Sequence, residues 1–498
     1  MAITQIEKVE TYLPGFDLVA QGGLPAGSAT LVAGTPGSGK TVFGVHFLAG
    51  GIREAGAGGV FVTFEDHPVR LRRYMGTFGW DIEQWEADKQ WAFVDASLQP
   101  SDPPTTVSGP YEFGGLVTRI EAAVRKVKAK RVVLDSISSV IARFREQQTV
   151  RHELHRVAEA LRAMKVTSII TAERLIESSD TARFGFEDFI ADNVIILRNR
   201  LEEEKRRRTV EILKFRGASH QKGEFPFSIS SEDGFIVIPL SEMRLTQQSL
   251  SDRITSGVQE LDKLCGGGFF EGSIILITGA TGCGKTLATA EFAKGGISSG
   301  DRTLLFGYEE SQDQLVRNAT GWGVDFEGFE AEGKLRVVCG YPESSNLEDH
   351  LLAIRKHIDN YQPQRLIIDS LSALERISTH KTFREFVIAL TGLLKERQVT
   401  SLLTLTTPNL MGGSSVTEGH ISSIADSIIL LRYVELPGEV RRGLTVLKMR
   451  GSQHDKEIRE FTIDSGGMHI GRPFRNITGV LSGNPVYRSF EDRIEDII

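Results

Sequence analysis

Short apolar runs rich in Val, Ile and Leu punctuate the chain: "TLVAG", "VFVTF", "RVVLD" and "NVIILR" in its first half, "IILITG", "LLFG", "RLIID" and "SIILLR" in its second. Between them lie longer stretches of helical periodicity, such as "GGLVTRIEAAVRKVKAK". Unbroken apolar runs of this length read as strands buried on both faces, and their alternation with helices implies an α/β fold, a mainly parallel sheet flanked by helices. The segment "NVIILRNRLEEEKRRRTVEILKFRG" instead predicts two strands joined by a charged turn, an antiparallel margin to the sheet. Within it the run Lys205 to Thr209 is expected at a solvated hairpin tip, balanced by Glu202 to Glu204.

The pattern is also written twice. "TLVAGTPGSGKTVFGVHFLAGGI" matches "ILITGATGCGKTLATAEFAKGGI", and four further pairs follow in the same order: "VFVTFED" with "LLFGYEE", "RVVLDSISSV" with "RLIIDSLSAL", "DNVIILR" with "DSIILLR", and "ILKFRGASH" with "VLKMRGSQH". Matches in one order mean duplication, and the period is far longer than the roughly 20 to 50 residues of a solenoid unit. Each copy is therefore expected to be a domain, 1–240 and 241–485, with a short tail at 486–498 and a seam in the polar segment Ile238 to Ile254. A length of 498 residues agrees with two domains.

Composition changes this picture little. Apolar residues make up 40% and charged residues 25%, ordinary for a globular protein. No apolar run is long enough to span a bilayer, and "MAITQIEKVE" lacks the basic-then-apolar order of a secretory signal, so a cytoplasmic protein without a membrane partner is expected. Three cysteines, Cys265, Cys283 and Cys339, suggest neither a disulfide frame nor a zinc site. A net charge of −7 gives little overall attraction to nucleic acid, which is not an expected partner.

The chemistry begins at "GTPGSGKT", Gly34 to Thr41, and "GATGCGKT", Gly279 to Thr286, both of the form G-x-x-x-x-G-K-[ST]. Glycines let amide N–H groups face phosphates at a helix N-terminus, the lysine reaches the terminal phosphates, and the hydroxyl binds magnesium. The ATP cradle is thus expected to comprise Gly37, Ser38, Gly39, Lys40, Thr41 and Val42 in one copy, and Thr281, Gly282, Cys283, Gly284, Lys285, Thr286 and Leu287 in the other. Asp135 and Asp369 each end an apolar strand where the magnesium-side carboxylate of a P-loop fold belongs, although such a residue also serves as a helix cap. Glu65 with Asp66, and Glu309 with Glu310, follow another strand and can polarise an attacking water or hydroxyl; a solvated acidic helix start is the plainer alternative. In "KFRG" and "KMRG", Lys214 with Arg216 and Lys448 with Arg450 sit two apart on one strand face, where they can reach a neighbour's γ-phosphate or simply meet solvent.

These motifs together resemble the KaiC family of circadian clock ATPases, double-domain members of the RecA superfamily. The likeness runs from "GFDLVAQGGLPAGSATLVAG" to "MRGSQHDKEIREFTI" and includes "CGGGFFEGSIIL" and "GHISSIADSIILLRYVE". It implies a homohexamer with ATP at subunit interfaces, a first domain that hydrolyses ATP slowly, and a second that is a serine autokinase and autophosphatase. By position, Glu65 and Glu309 match the leading catalytic carboxylates, and Lys214, Phe215, Arg216, His220, Lys448, Met449 and Arg450 match the strands reaching a neighbouring nucleotide. Trp322 and Arg442 match residues near the second site, and Ser422 and Ser423 match the phosphorylated pair. The cofactors implied are ATP and Mg2+. Asp66 stands for a second glutamate, Cys283 for a threonine of the P-loop and Ser423 for a threonine acceptor. The tail after "NITGVLSGNPV" is short where clock members engage the activator KaiA, so a KaiB-like partner fits the resemblance better than a KaiA-like one.

Overlaying "FGFEDFIAD" on "GHISSIAD" puts Asp188 opposite Ser422 and Phe189 opposite Ser423, hydroxyl acceptors in one copy and none in the other. Serines that cap a turn are the plainer alternative. Two other functions share this fold: a DNA-dependent recombinase or helicase, favoured only by "KRRRT", and a nucleotide-gated signalling scaffold.

Overall fold

The computed structural model describes residues 6–97, 113–141, 147–174, 177, 191–202, 204–238, 250–407, 421–436, 438–475, 477–479 and 486–487. The chain divides into two compact units, Met1–Glu242 and Met243–Ile498.

In the first unit, β1 (Ala29–Gly34) leads into α1 (Lys40–Ala55), followed by β2 (Gly58–Thr63), β3 (Trp91–Asp95), β4 (Ala129–Asp135), β5 (Thr167–Glu173), β6 (Asn193–Glu202), β7 (Lys205–Phe215), β8 (Glu224–Ser230) and β9 (Gly234–Val237). They form one nine-stranded sheet in the order β9-β8-β7-β6-β1-β5-β4-β2-β3. The strands from β6 to β3 are mutually parallel, and β7, β8 and β9 add antiparallel partners at one margin. The central strand is buried throughout because successive side chains enter opposite cores. Leu31 and Ala33 pack with Val60, Val62 and Leu134 on one side, while Val32 packs with Phe43, Phe47 and Phe61 on the other.

The second unit repeats the plan: β10 (Ile274–Gly279), α2 (Lys285–Ser298), β11 (Thr303–Gly307), β12 (Leu335–Cys339), β13 (Arg365–Asp369), β14 (Thr400–Thr406), β15 (Ser427–Leu436), β16 (Glu439–Met449), β17 (Arg459–Asp464) and β18 (Gly467–Pro473). Its sheet order, β12-β11-β13-β14-β10-β15-β16-β17-β18, is that of the first unit read from the other end.

Two repeated contacts fix the P-loop helices on their sheets. Arg131, the third residue of β4, and Arg365, the first of β13, are almost fully buried. Arg131 donates to the carbonyls of Phe47 and Glu10, both at 2.7 Å, and Arg365 donates to Phe292 and Thr255 at 3.1 and 2.7 Å. Each guanidinium stacks on the aromatic ring whose carbonyl it binds, with a centroid distance of 4.5 Å for Phe47 and 4.6 Å for Phe292. A Cβ at Gly51 or Gly296 would come within 2.5 or 2.4 Å of the arginine Nε, so the glycines permit this approach. At the outer margin, the seventh residue of each helix receives the last hairpin. Phe235 N–H donates to His46 Nδ1 at 3.1 Å, and Met468 N–H hydrogen bonds to Glu291.

One sequence expectation changes. Lys205 to Thr209 are the first residues of β7, paired with 198–202, and do not form a solvated tip. They stay in the ladder because the arginines find partners: Arg206 donates to the Asn199 carbonyl at 2.8 Å, and Arg207 lies 4.0 Å from Glu202.

Candidate functional site

Both P-loops turn through left-handed glycines, Gly37 and Gly39 at φ 76° and 91° and Gly282 and Gly284 at 76° and 108°, conformations open to glycine without strain. Lys40 Nζ rests on the Gly34 and Thr35 carbonyls, each at 3.0 Å. Lys285 Nζ rests on Gly279 and Ala280 at 2.9 and 3.0 Å. Burial lowers the Lys40 ammonium from its ordinary value, opposed by Asp135, Glu173, Glu65 and Glu177 around it. Ser38 and Cys283 are fully buried beneath their loops, against Gly34 and Gly279, and their side chains line the core rather than the loop's outer surface. Val42 and Leu287 follow in the first turns of α1 and α2.

The carboxylates gather at the C-terminal ends of neighbouring strands. Thr63 pairs with Asp135, and Gly307 pairs with Asp369, so Glu65 and Glu309 emerge beside the aspartates that end β4 and β13. Burial raises Glu65 above the ordinary carboxylate range, and the charges of Asp135 and Glu173 add to that rise. Glu309 accepts a hydrogen bond from Ser370 Oγ at 2.8 Å, and Glu310 accepts from Asn318 Nδ2 at 2.9 Å. Glu310 is also raised by burial, with Asp369 and Glu309 contributing against the Asn318 bond. The Asp66 carbonyl accepts from Thr63 Oγ1 at 2.6 Å, which closes the turn after β2. Trp322 caps the helix Gln312–Gly321 that starts just beyond Glu310.

Oxygen donors suited to a hard cation meet at each helix start. Thr41 Oγ1 lies 2.7 Å from Asp135 Oδ2, and Thr286 faces Asp369 in the same way. Burial raises both aspartates. Among the described residues no group of three or more His, Cys, Asp or Glu side chains could hold a metal ion. A hydroxyl and one carboxylate fit magnesium, which takes few protein ligands and completes its shell with phosphates and water.

The basic pairs face a turn at the opposite, N-terminal end of the central parallel strands. Ile421–Ser423 forms a short 3-10 turn before β15, with Ser422 half-buried and Ser423 exposed. Lys448 Nζ donates to the carbonyls of Ser422 and Ala425, both at 2.7 Å, and Arg450 donates to the Ser423 carbonyl. Asp426 anchors the turn by accepting from Ile274 N–H at 3.0 Å and pairing with Lys395 at 3.0 Å. The first unit repeats the frame: Lys214 donates to the Ala191 carbonyl at 2.8 Å, and Arg216 lies 3.8 Å from Asp192. Phe215 and Met449 turn into the core between the basic residues, and His220 sits edge-on to Phe215 at 5.6 Å, its imidazole lowered by burial. Asp188 and Phe189 lie outside the described residues. Since Ile275 pairs with Ser427 and Gly279 with Leu431, the Ser422–Ser423 turn lies at least four strand residues, roughly 13 Å, from its own unit's P-loop.

A family model described as "ATPase: KaiC" matches residues 9–242 and 254–474. The chain belongs to the KaiC family of ATPases. It is 59% identical to the circadian clock protein KaiC3 of Synechocystis sp. over 482 residues, 97% of this chain and 95% of that protein. It is 49% identical to the circadian clock oscillator protein KaiC 1 of Synechocystis sp. over 490 residues, 98% and 94% of the two chains. The circadian clock oscillator protein KaiC of Thermosynechococcus vestitus is 48% identical over 491 residues, 99% of this chain and 94% of that one. KaiC-family membership carries ATP binding and the two tandem RecA-like domains with it.

Within this KaiC-family fold, two residues escaped sequence reasoning, Arg208 and Glu173. Arg442 pairs with Tyr433, whose hydroxyl lies 3.4 Å from the Thr281 carbonyl of the P-loop. Arg208 pairs with Asn199, whose Nδ2 lies 3.4 Å from the Gly37 carbonyl, so it is the first unit's counterpart. Both guanidinium Nε atoms are buried without a hydrogen-bond partner among the described residues. A gapless overlay of the two hairpins would have matched them. The other is Glu173 at the end of β5, which a separate overlay of β5 on β14 sets against Thr406.

Proposed function

We propose that this chain is an ATP-assembled clock or signalling ATPase that hydrolyses ATP at its first unit and phosphorylates Ser422 and Ser423 at its second. The observation carrying this reading is the seat of the Ser422–Ser423 turn, at the end of the strands opposite its own unit's P-loop and held there by Lys448 and Arg450. A phosphate on that unit's own P-loop is too far to reach it, whereas ATP held by an adjacent copy could, and the same basic pair would then lie beside that neighbour's γ-phosphate. Lys40 and Lys285 are assigned to the phosphates, and Thr41 with Asp135 and Thr286 with Asp369 to magnesium. Magnesium held there would offset the negative charge that develops on the phosphate during transfer.

At the second site a serine Oγ forms the new bond to the γ-phosphorus, the bond to the bridging oxygen breaks, and the electron pair leaves with ADP. The serine proton passes to Glu309, held in place by Ser370, with Glu310 behind it. The proposed assembly is a homohexamer, and ATP shared between copies would stabilise it by mass action. The clock names of the relatives support a timing role, with a KaiB-like protein as the proposed companion, testable by co-elution. Incubation with γ-labelled ATP should label the peptide holding Ser422 and Ser423. Undiminished label in a Ser422→Ala, Ser423→Ala double variant would overturn the assignment.

A further inference from the structure

The strands that flank the P-loops on the carboxylate side end differently in the two units. "VTSIITAER" and "VTSLLTLTT" overlay without a gap and set Glu173 against Thr406. Their backbones are equivalent: Glu173 pairs with Gly34 and Thr406 with Gly279. Glu173 N–H donates to Ser138 Oγ at 2.8 Å, and Thr406 N–H donates to Ser372 Oγ at 2.7 Å. Residues two apart on a strand share a face. Thr171 and Thr404 donate to Asp135 and Asp369, so Glu173 and Thr406 project on the same face as those aspartates. The first unit therefore has carboxylates on both sides of Asp135, Glu65 following β2 and Glu173 ending β5, with Lys40 within reach of their charge. The second unit has a hydroxyl on one of those sides.

We propose that Glu173 orients the attacking water in the first unit's ATPase, and that Thr406 in its place helps direct the second unit's phosphate to serine. The inference rests on reading the first unit as an ATPase centred on Lys40 and Glu65. In hydrolysis the water oxygen forms a bond to the γ-phosphorus, the bond to the bridging oxygen breaks, and the electron pair leaves with ADP. One water proton passes to Glu65 and on to solvent. The other stays on the new phosphate, and until then it is the hydrogen that Glu173 holds. Two acceptors fix both O–H directions and aim the remaining lone pair at phosphorus, which one acceptor leaves free to swing. A serine nucleophile has a single O–H and arrives already held by its turn. A second carboxylate there has nothing to orient and would repel the γ-phosphate, whereas a threonine hydroxyl can donate to it.

The experiment measures ADP release and phosphoserine in the full chain for Lys40→Ala, Glu173→Thr, Glu173→Gln and Thr406→Glu, with nucleotide affinity measured alongside. Glu173→Thr should lower kcat by about ten- to a hundredfold with KM within about twofold. The near-isosteric Glu173→Gln, which keeps one acceptor oxygen, should fall between it and the parent. Thr406→Glu should release more ADP and form less phosphoserine. Unchanged kcat in both Glu173 variants, or an equal loss of nucleotide affinity in both, would overturn the role of Glu173. Hydrolysis unchanged in Lys40→Ala would instead overturn the reading of the first unit on which the inference rests.

Discussion

Cys283 lies beneath the second P-loop, where burial pushes its thiol above the ordinary range, and a neutral buried thiol is a poor nucleophile. Cys283→Ser should bind ATP within about twofold of the parent, and thiol reagents should modify Cys283 only after unfolding; rapid labelling of the native chain would contradict this placement. His46 is a second buried group whose protonation state is set by packing. Its ring lies against Trp80, Nδ1 must accept from Phe235 N–H, and burial, with Arg53 adding to it, brings its pKa down to about 4 from 6.5. The unfolded chain takes up a proton as pH falls below 6.5, while the folded chain refuses it until about 4. First-unit stability should therefore drop across that window, by on the order of 3 kcal/mol from this residue alone. Three of the four tryptophans, Trp80, Trp85 and Trp91, lie in this unit, so in a Trp322→Phe background urea midpoints by tryptophan fluorescence report it. His46→Asn, which keeps an acceptor without a titration, should flatten the slope.

Among the elements, β4 and β13 carry the arginines that bind the P-loop helix to the segment before it. Arg131→Lys would leave one of its two carbonyl partners, the buried one of Phe47 or the part-buried one of Glu10, without its donor, an expected cost of about 1–3 kcal/mol in unfolding free energy from urea titration, since an ammonium lacks the guanidinium fork. These arginines were not legible in the sequence, where an arginine at a strand start looks like a surface residue; the glycines that admit them lie 80 and 69 residues upstream. What could be read were the features carried by local pattern. Runs such as "TLVAG" became doubly buried parallel strands, and "NVIILR" with "VEILKF" became a hairpin at the sheet margin. The "KRRRT" run misled because a charge cluster reads as solvated, while its pairing across to 198–202 comes only from register. Glu173 was missed for a similar reason. It gains chemical interest from lying beside Gly34, a neighbour 139 residues away in sequence.

For the whole molecule, the repeated fold with unequal sites predicts a division of labour. Lys40→Ala should chiefly reduce assembly and steady ADP release, whereas Lys285→Ala should chiefly abolish phosphoserine. Equal losses of both activities from the two substitutions, followed by light scattering and phosphopeptide analysis, would count against it. Glu309→Gln should slow phosphoserine formation by about a hundredfold or more while ATP binding persists, the usual scale for losing a proton acceptor. The seat of the Ser422–Ser423 turn has a kinetic consequence. Transfer that must cross between chains is second order in dilute protein and becomes first order only once rings are filled. The initial rate of labelling should then rise with the square of chain concentration and bend over where assembly saturates. A copy's phosphate content would thus record how long it has been in company, a memory that an isolated chain cannot write.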